Sequence, residues 1–327
     1  GDATPGVIAG RASDEFYVSS QFGLQIDTVT LNRIDGTPVT ETGLSGDRIR
    51  VDGDTILVTA AVDSTGIILV ESQDGLSQNS NGILTANQLV LTGNGDFLLN
   101  ESNGIGTAFV PGEIAASVSG SVLLENQFAL EIANLSYDAT TYQGIFVGTG
   151  GVHSGDFDLD TTASNGSLTQ VADASIIVEG ETRINVGTGN VVLNQGDTNA
   201  DTVTDNDFSS VVITAANVAE IADTNDLTAS QMAVANAVSL DAVGSIQLDT
   251  NIDVTGNVHL RAGNGVGQLA ASFISSPELI VEGTGDFDLG ERNRLGDVFT
   301  DGKFAADVDG SLTLLNDFDL LIDDLTY

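Results

Sequence analysis

The sequence predicts an all-β chain wound as a right-handed parallel β-helix, a solenoid of irregular coil length. Three observations carry that prediction. A five-residue pattern of glycine, any residue, a large apolar residue, any residue and leucine occurs eight times in 327 residues. Residues 84–137 return without a gap as residues 274–327, with 23 of 54 positions identical. The chain is 41% hydrophobic but only 5% aromatic, without tryptophan, so Val, Ile, Leu and Ala must build the core, which suits thin stacked β layers.

The pattern reads Gly95-Asp96-Phe97-Leu98-Leu99 in its first copy. The others start at Gly120, Gly155, Gly189, Gly244, Gly256, Gly285 and Gly310. In a strand the apolar residue and the leucine share a side, because side chains alternate with period two. The glycine suits a corner of positive φ before the strand. Aspartate at the second position gives way to Ser or Asn in five copies, so that position calls for a small polar residue and not a carboxylate.

Residues 1–18, with Pro5, Gly6 and Gly10, are expected to be an opening segment or the end of a preceding unit; residues 19–327 are expected to form one continuous solenoid. The run Phe22-Gly23-Leu24-Gln25-Ile26 returns as Phe128-Ala129-Leu130-Glu131-Ile132 and Phe318-Asp319-Leu320-Leu321-Ile322, with Phe, Leu and Ile read as one strand face. The long duplication has an offset of 190, whereas the Phe22 and Phe128 copies lie 106 apart. Extra coils absorb that difference easily, since each coil contacts only its neighbours. The Ala-rich run from Val211 to Ala242 has helical composition. Its Val234, Asn236, Val238 and Leu240 are nevertheless spaced by two and residues 223–226 interrupt it, so strands are predicted on both sides of that break. Motif glycines are spaced 25, 35, 34, 55, 12, 29 and 25 residues apart, too irregular for a hexapeptide helix. The rival, a string of β-sandwiches, predicts a hairpin-rich antiparallel pattern.

The text from 227 to 289 resembles filamentous-haemagglutinin-type repeats. The resemblance is carried by Leu227-Thr228-Ala229-Ser230-Gln231-Met232, Gly244-Ser245-Ile246-Gln247-Leu248 and Gly256-Asn257-Val258-His259-Leu260-Arg261-Ala262-Gly263; Leu84-Thr85-Ala86-Asn87-Gln88-Leu89-Val90-Leu91 shares it. It implies a parallel β-helix within a very large secreted surface protein, often an adhesin. The family's secretion domain is not recognisable here.

Charge and cysteine content bound the function. There are 47 Asp and Glu against 9 Lys and Arg, a net charge of −38. Nucleic-acid binding needs a cationic footprint and is not expected; nor is membrane insertion, since no stretch approaches the ~18 apolar residues of a spanning helix. No cysteine is present, which removes disulfides and thiolate chemistry. The chain starts at Gly1 without a signal sequence, which suggests a mature or excised segment, and the stop at Tyr327, where the earlier copy continues past Tyr137, suggests further chain or a capping subunit.

The candidate metal site is Asp197-Thr198-Asn199-Ala200-Asp201-Thr202-Val203-Thr204-Asp205-Asn206-Asp207. Oxygens of Asp197, Asn199, Asp201 and Asp205, with the Val203 carbonyl, fall at alternating positions, and Asp207 stands in for the acidic last ligand. The loop resembles the calcium loops of EF-hands and dockerins, apart from Thr202 in place of glycine and Phe208 at the twelfth position. Calcium is therefore the one cofactor expected. Asp156, Asp158, Asp160, Asp286 and Asp288 are expected on outward faces, without basic or aromatic neighbours for polysaccharide chemistry. His153 and His259 are expected to be surface histidines. The expected role is a fibre, sheath or adhesin stalk outside the cell or at its surface, self-associating end to end; a calcium-dependent adhesin or glycan-binding module is the alternative, and enzymatic activity is not expected.

Overall fold

A computed structural model describes residues 5–148, 155–195 and 206–322, in two compact units, Gly1–Gly166 and Ser167–Tyr327. All regular structure among the described residues is β, and each unit is a parallel β-solenoid of stacked coils.

In the first unit one interior column runs Leu24, Ile56, Leu76, Phe97, Val122 and Phe157, each in register with the next on a parallel strand. A second passes through Leu44, Val62 and Leu84, and a third through Ile49, Ile68, Leu89 and Ile114. All these side chains are buried. Period-two alternation sends them inward, and parallel pairing repeats the same inward position on the next coil. Each such burial contributes about 1.5–3 kcal/mol.

Residues ahead of Ser19 already belong to this stack. Strands Gly6–Ile8, Gly10–Arg11 and Glu15–Ser19 pair in parallel with Leu24–Ile26 and Leu44–Gly53. Among the described residues two antiparallel hairpins interrupt the coils, Thr28–Asn32 with Pro38–Thr42 and Asn134–Tyr137 with Thr140–Gln143. The second lengthens its coil: Asp96 meets Ser121 after 25 residues, but Ser121 meets Asp156 after 35.

The second unit repeats the scheme. One column runs Leu227, Ile246, Val266, Phe287 and Leu312. Another runs Val191, Ala219, Val238, Val258, Leu279 and Phe304. The Ala-rich run forms strands Asp207–Asp223 and Leu227–Ala242, as its spacing predicted. Register shifts within these two strands mark where each rounds a corner, which is why Asn236 falls outside while Val234 and Val238 stay in.

Two expectations are corrected. Phe22 does not share the interior face of Leu24 and Ile26; it sits 59% exposed on a bend before their strand, and Phe128 is half-buried at the equivalent bend. Positive φ is not the general reason for the motif glycine. Gly95 does adopt φ +75°, but Gly120 does not; there a Cβ would lie 2.3 Å from the Gly95 carbonyl oxygen on the adjacent coil. Close coil stacking excludes a side chain. The motif also occupies two columns in the second unit, Gly189 and Gly256 in one, Gly244, Gly285 and Gly310 in the other. Hence the 12-residue spacing: Gly244 and Gly256 open two strands of one coil.

The second motif position has a definite task. Asp96 Oδ1 accepts the Ser121 N–H at 2.9 Å, and Ser121 Oγ accepts the Asp156 N–H at 3.1 Å. Asp286 receives the Ser311 N–H in the same way. Any short acceptor serves, which accounts for the exchange of Asp and Ser.

The duplication extends to single hydrogen bonds. Asn103 is fully buried; its Oδ1 accepts the Leu84 N–H at 2.9 Å and Gln78 Nε2 at 2.8 Å, and its Nδ2 donates to Leu99, Glu101 and Glu125 carbonyls. Asn293, 190 residues on, takes the Ile274 N–H and Gln268 Nε2 and donates to Leu289 and Glu291. Asn126 and Asn316 continue the pattern one coil further.

Candidate functional site

Of the predicted calcium loop, Asp197, Asn199, Asp201, Val203 and Asp205 lie outside the described residues. Asp207 opens a strand, and its Oδ1 accepts Asn225 Nδ2 at 2.9 Å. Close by, Asp223 is only 5% exposed, with Oδ2 accepting the Phe208 N–H and Oδ1 the Asn225 N–H, both at 2.8 Å. Burial pushes its pKa up to about 6 against the pull of those two donors, and the charges of Asp207 and Asp226 add to the rise. Asp226 is held below the usual range by the N–H and hydroxyl of Ser245. These carboxylates cap the backbone of the coils. Among the described residues no three His, Asp or Glu side chains are grouped as metal ligands.

The acidic faces do form ladders. Glu125 is in register with Asp160 on the next coil, at a shallow depression lined by Ser102, Asn126, Thr162 and Ala163. Partial burial raises the Glu125 pKa, and Asp160, Glu101 and Asp158 raise it further. Asp160 Oδ1 is taken up by the Thr162 N–H and hydroxyl. Asp288 caps the Gly290 N–H.

His153 lies outside the described residues, whereas His259 is not the plain surface histidine expected. Its side chain is 15% exposed, with Nδ1 3.4 Å from Ser239 Oγ and Nε2 3.3 Å from Glu282 Oε2, on the two flanking coils. Serine, histidine and carboxylate stand in line, but the contacts are long. The strands around them are paired on both sides, so their backbone N–H groups serve the ladder and not an oxyanion. Three coils meet here through a polar column. Its signal in the sequence was a 20-residue separation that only the coil length makes meaningful.

The first unit holds the aromatic and basic groups that sequence reasoning missed. Tyr137, on the second hairpin, donates to Glu15 Oε1 at 2.7 Å; the Arg48 guanidinium lies 4.2 Å from its ring centroid and bridges to Asp138 at 2.6 Å. Burial, then the bond to Glu15, drives the Tyr137 pKa up. Arg50 stacks on Tyr17 and pairs with Glu71. The hairpin packs against strand Gly112–Val118. Beneath this side, Leu69, Val90 and Ala115 are fully buried although alternation turns them away from the interior columns. Residues 122 positions apart meet here, a distance no local motif encodes.

No protein-family model, curated protein or solved structure matches this chain.

Proposed function

We propose that this chain is a rod segment of an extracellular or cell-surface protein, a structural fibre or adhesin stalk whose work is mechanical. The observation that supports this reading is the reuse of one coil design down to its hydrogen bonds, with Asn103 and Asn293 performing the same task 190 residues apart. A chain that copies its corner chemistry in this way is adding length. Within each unit the parallel ladder joins successive coils, and acidic outward faces keep such a segment dispersed in a salty medium, where screening acts within about 8 Å. The resemblance to filamentous-haemagglutinin-type repeats points the same way.

End-to-end self-association belongs to this proposal. Leu312 and Leu314 are half-exposed, whereas their counterparts Val122 and Leu124 are fully buried beneath Phe157 and Leu159. A coil stacked on strand Leu312–Asn316 would bury them, and a second copy is the source this proposal puts to the test. Sedimentation over a wide concentration range tests it: growth into elongated oligomers is expected, and a strictly monomeric particle at high concentration counts against it.

The second reading is a calcium-dependent adhesive module that meets a glycan or a neighbouring cell. It rests on the loop ending at Asp207, which Asp223 and Asp226 adjoin. Calorimetric titration with calcium distinguishes the two: heat and a raised melting temperature support the module, and a silent titration removes calcium from it.

A further inference from the structure

Five asparagines in this chain precede a glycine: Asn81, Asn94, Asn103, Asn165 and Asn264. At such a step the glycine nitrogen can attack the asparagine Cγ. The glycine N–H proton passes to solvent base, ammonia leaves with the side-chain nitrogen, and the succinimide takes up water to give aspartate or isoaspartate. The reaction needs a backbone N–H free of a hydrogen bond and an amide that can swing onto it, so the fold selects among the five.

Four are restrained. Asn103 is fully buried with both ends of its amide engaged. The Gly82 N–H donates to the Asn79 carbonyl at 2.8 Å, and the Gly166 N–H to Thr161 at 3.1 Å. The Gly265 N–H also meets no acceptor among the described residues, but Gly265 is buried, so the attacking nitrogen after Asn264 is shielded from the solvent base that must take its proton. Asn94 differs. It is exposed, Gly95 is half-exposed, and the Gly95 N–H meets no acceptor among the described residues. Its amide is held only by Gln73 at 3.3 Å and the Ser119 hydroxyl at 3.2 Å, both at the surface. We propose that Asn94 is a site of spontaneous deamidation, the first of the five to convert in the folded protein.

The consequence falls on a stacking corner. Gly95 packs directly on the Asp74–Gly75 peptide of the coil before, and its carbonyl oxygen lies under Gly120 of the coil after. Isoaspartate at 94 inserts an extra backbone carbon there and adds a negative charge next to Asp96. The chain also supplies a harmless replacement. Gly93-Asn94-Gly95 recurs as Gly283-Thr284-Gly285, with φ +120° and +75° at the glycines of the first corner and +127° and +85° at those of the second. Threonine fits this corner and cannot form a succinimide.

The test is to age the folded protein in mildly alkaline buffer and map all five steps by mass spectrometry, with isoaspartyl methylation as a second reporter. A chain unfolded in denaturant serves as the reference in which no step is protected. Asn94 should convert about tenfold faster than the steps whose glycine N–H is bonded, the factor expected from breaking one such bond first. Asn94→Thr should abolish conversion there and leave the other four rates unchanged. The proposal is overturned if Asn94 stays intact in the folded protein while it converts in the unfolded chain. It is equally overturned if any other Asn–Gly step matches its rate in the folded state.

Discussion

Replacing Asn103 with alanine probes whether the corners or the aliphatic columns hold the coils in place. The substitution removes the acceptor of the Leu84 N–H, which belongs to a buried residue. It also strips the donor from the Leu99, Glu101 and Glu125 carbonyls and both contacts from Gln78. A buried polar group left without a partner costs about 1–3 kcal/mol. One orphaned N–H, a half-satisfied Gln78 and the void left by the amide together predict a loss of about 3–5 kcal/mol. Asn293→Ala should come close to it, because the Ile274 N–H, Gln268 and the Leu289 and Glu291 carbonyls are lost in the same way, with one carbonyl fewer than at Asn103. Asn87→Ala, which removes one exposed bond to Thr65, should cost no more than about 1 kcal/mol. Denaturant unfolding gives the totals. Hydrogen exchange at Leu84 locates the damage, which matters because a solenoid can open coil by coil. If Asn103→Ala is within about 1 kcal/mol of the parent and the Leu84 amide keeps its protection, the corner amide is dispensable and the reasoning fails.

Gly120→Ala should cost about 1–3 kcal/mol, since its Cβ would meet the Gly95 carbonyl at 2.3 Å, while Gly104→Ala, whose nearest neighbour is 3.7 Å away, should be mild by comparison; equal melting temperatures for the two would contradict the stacking argument. For Asp223 the folded pKa of about 6 exceeds the ordinary 3.8, so between those values the folded state holds a proton that the unfolded state has lost. Stability therefore falls as pH rises through that window, by about 3 kcal/mol in all, and stays at the lower level above pH 6. Asp223→Asn should flatten that limb of the profile, and a parallel profile would refute the assignment. Tyr137→Phe should lose about 1–2 kcal/mol with its bond to Glu15 and loosen exchange protection at Val90 and Ala115; unchanged protection there would show that the hairpin does not depend on this clasp.

The sequence alone determined the β class, the parallel stacking and the strand character of the Ala-rich run, because period-two alternation and a gap-free duplication are local signals repeated many times. It also marked glycine at coil starts and a short polar residue after it. Their reasons had to come from the neighbouring coil: the Gly95 carbonyl that bars a side chain at 120, and the Ser121 N–H that Asp96 receives. Asn103 and Asn293 were visible as identities, but a buried amide holding together three stretches of chain cannot be read from its own surroundings. The same holds for His259, whose partners lie 20 and 23 residues away, and for the hairpin that carries Tyr137 back to Glu15 across 122 residues. Tertiary structure decided these contacts because coil length sets which residues lie one layer apart, and inserted hairpins change that length without disturbing the alternation by which the strands are recognised.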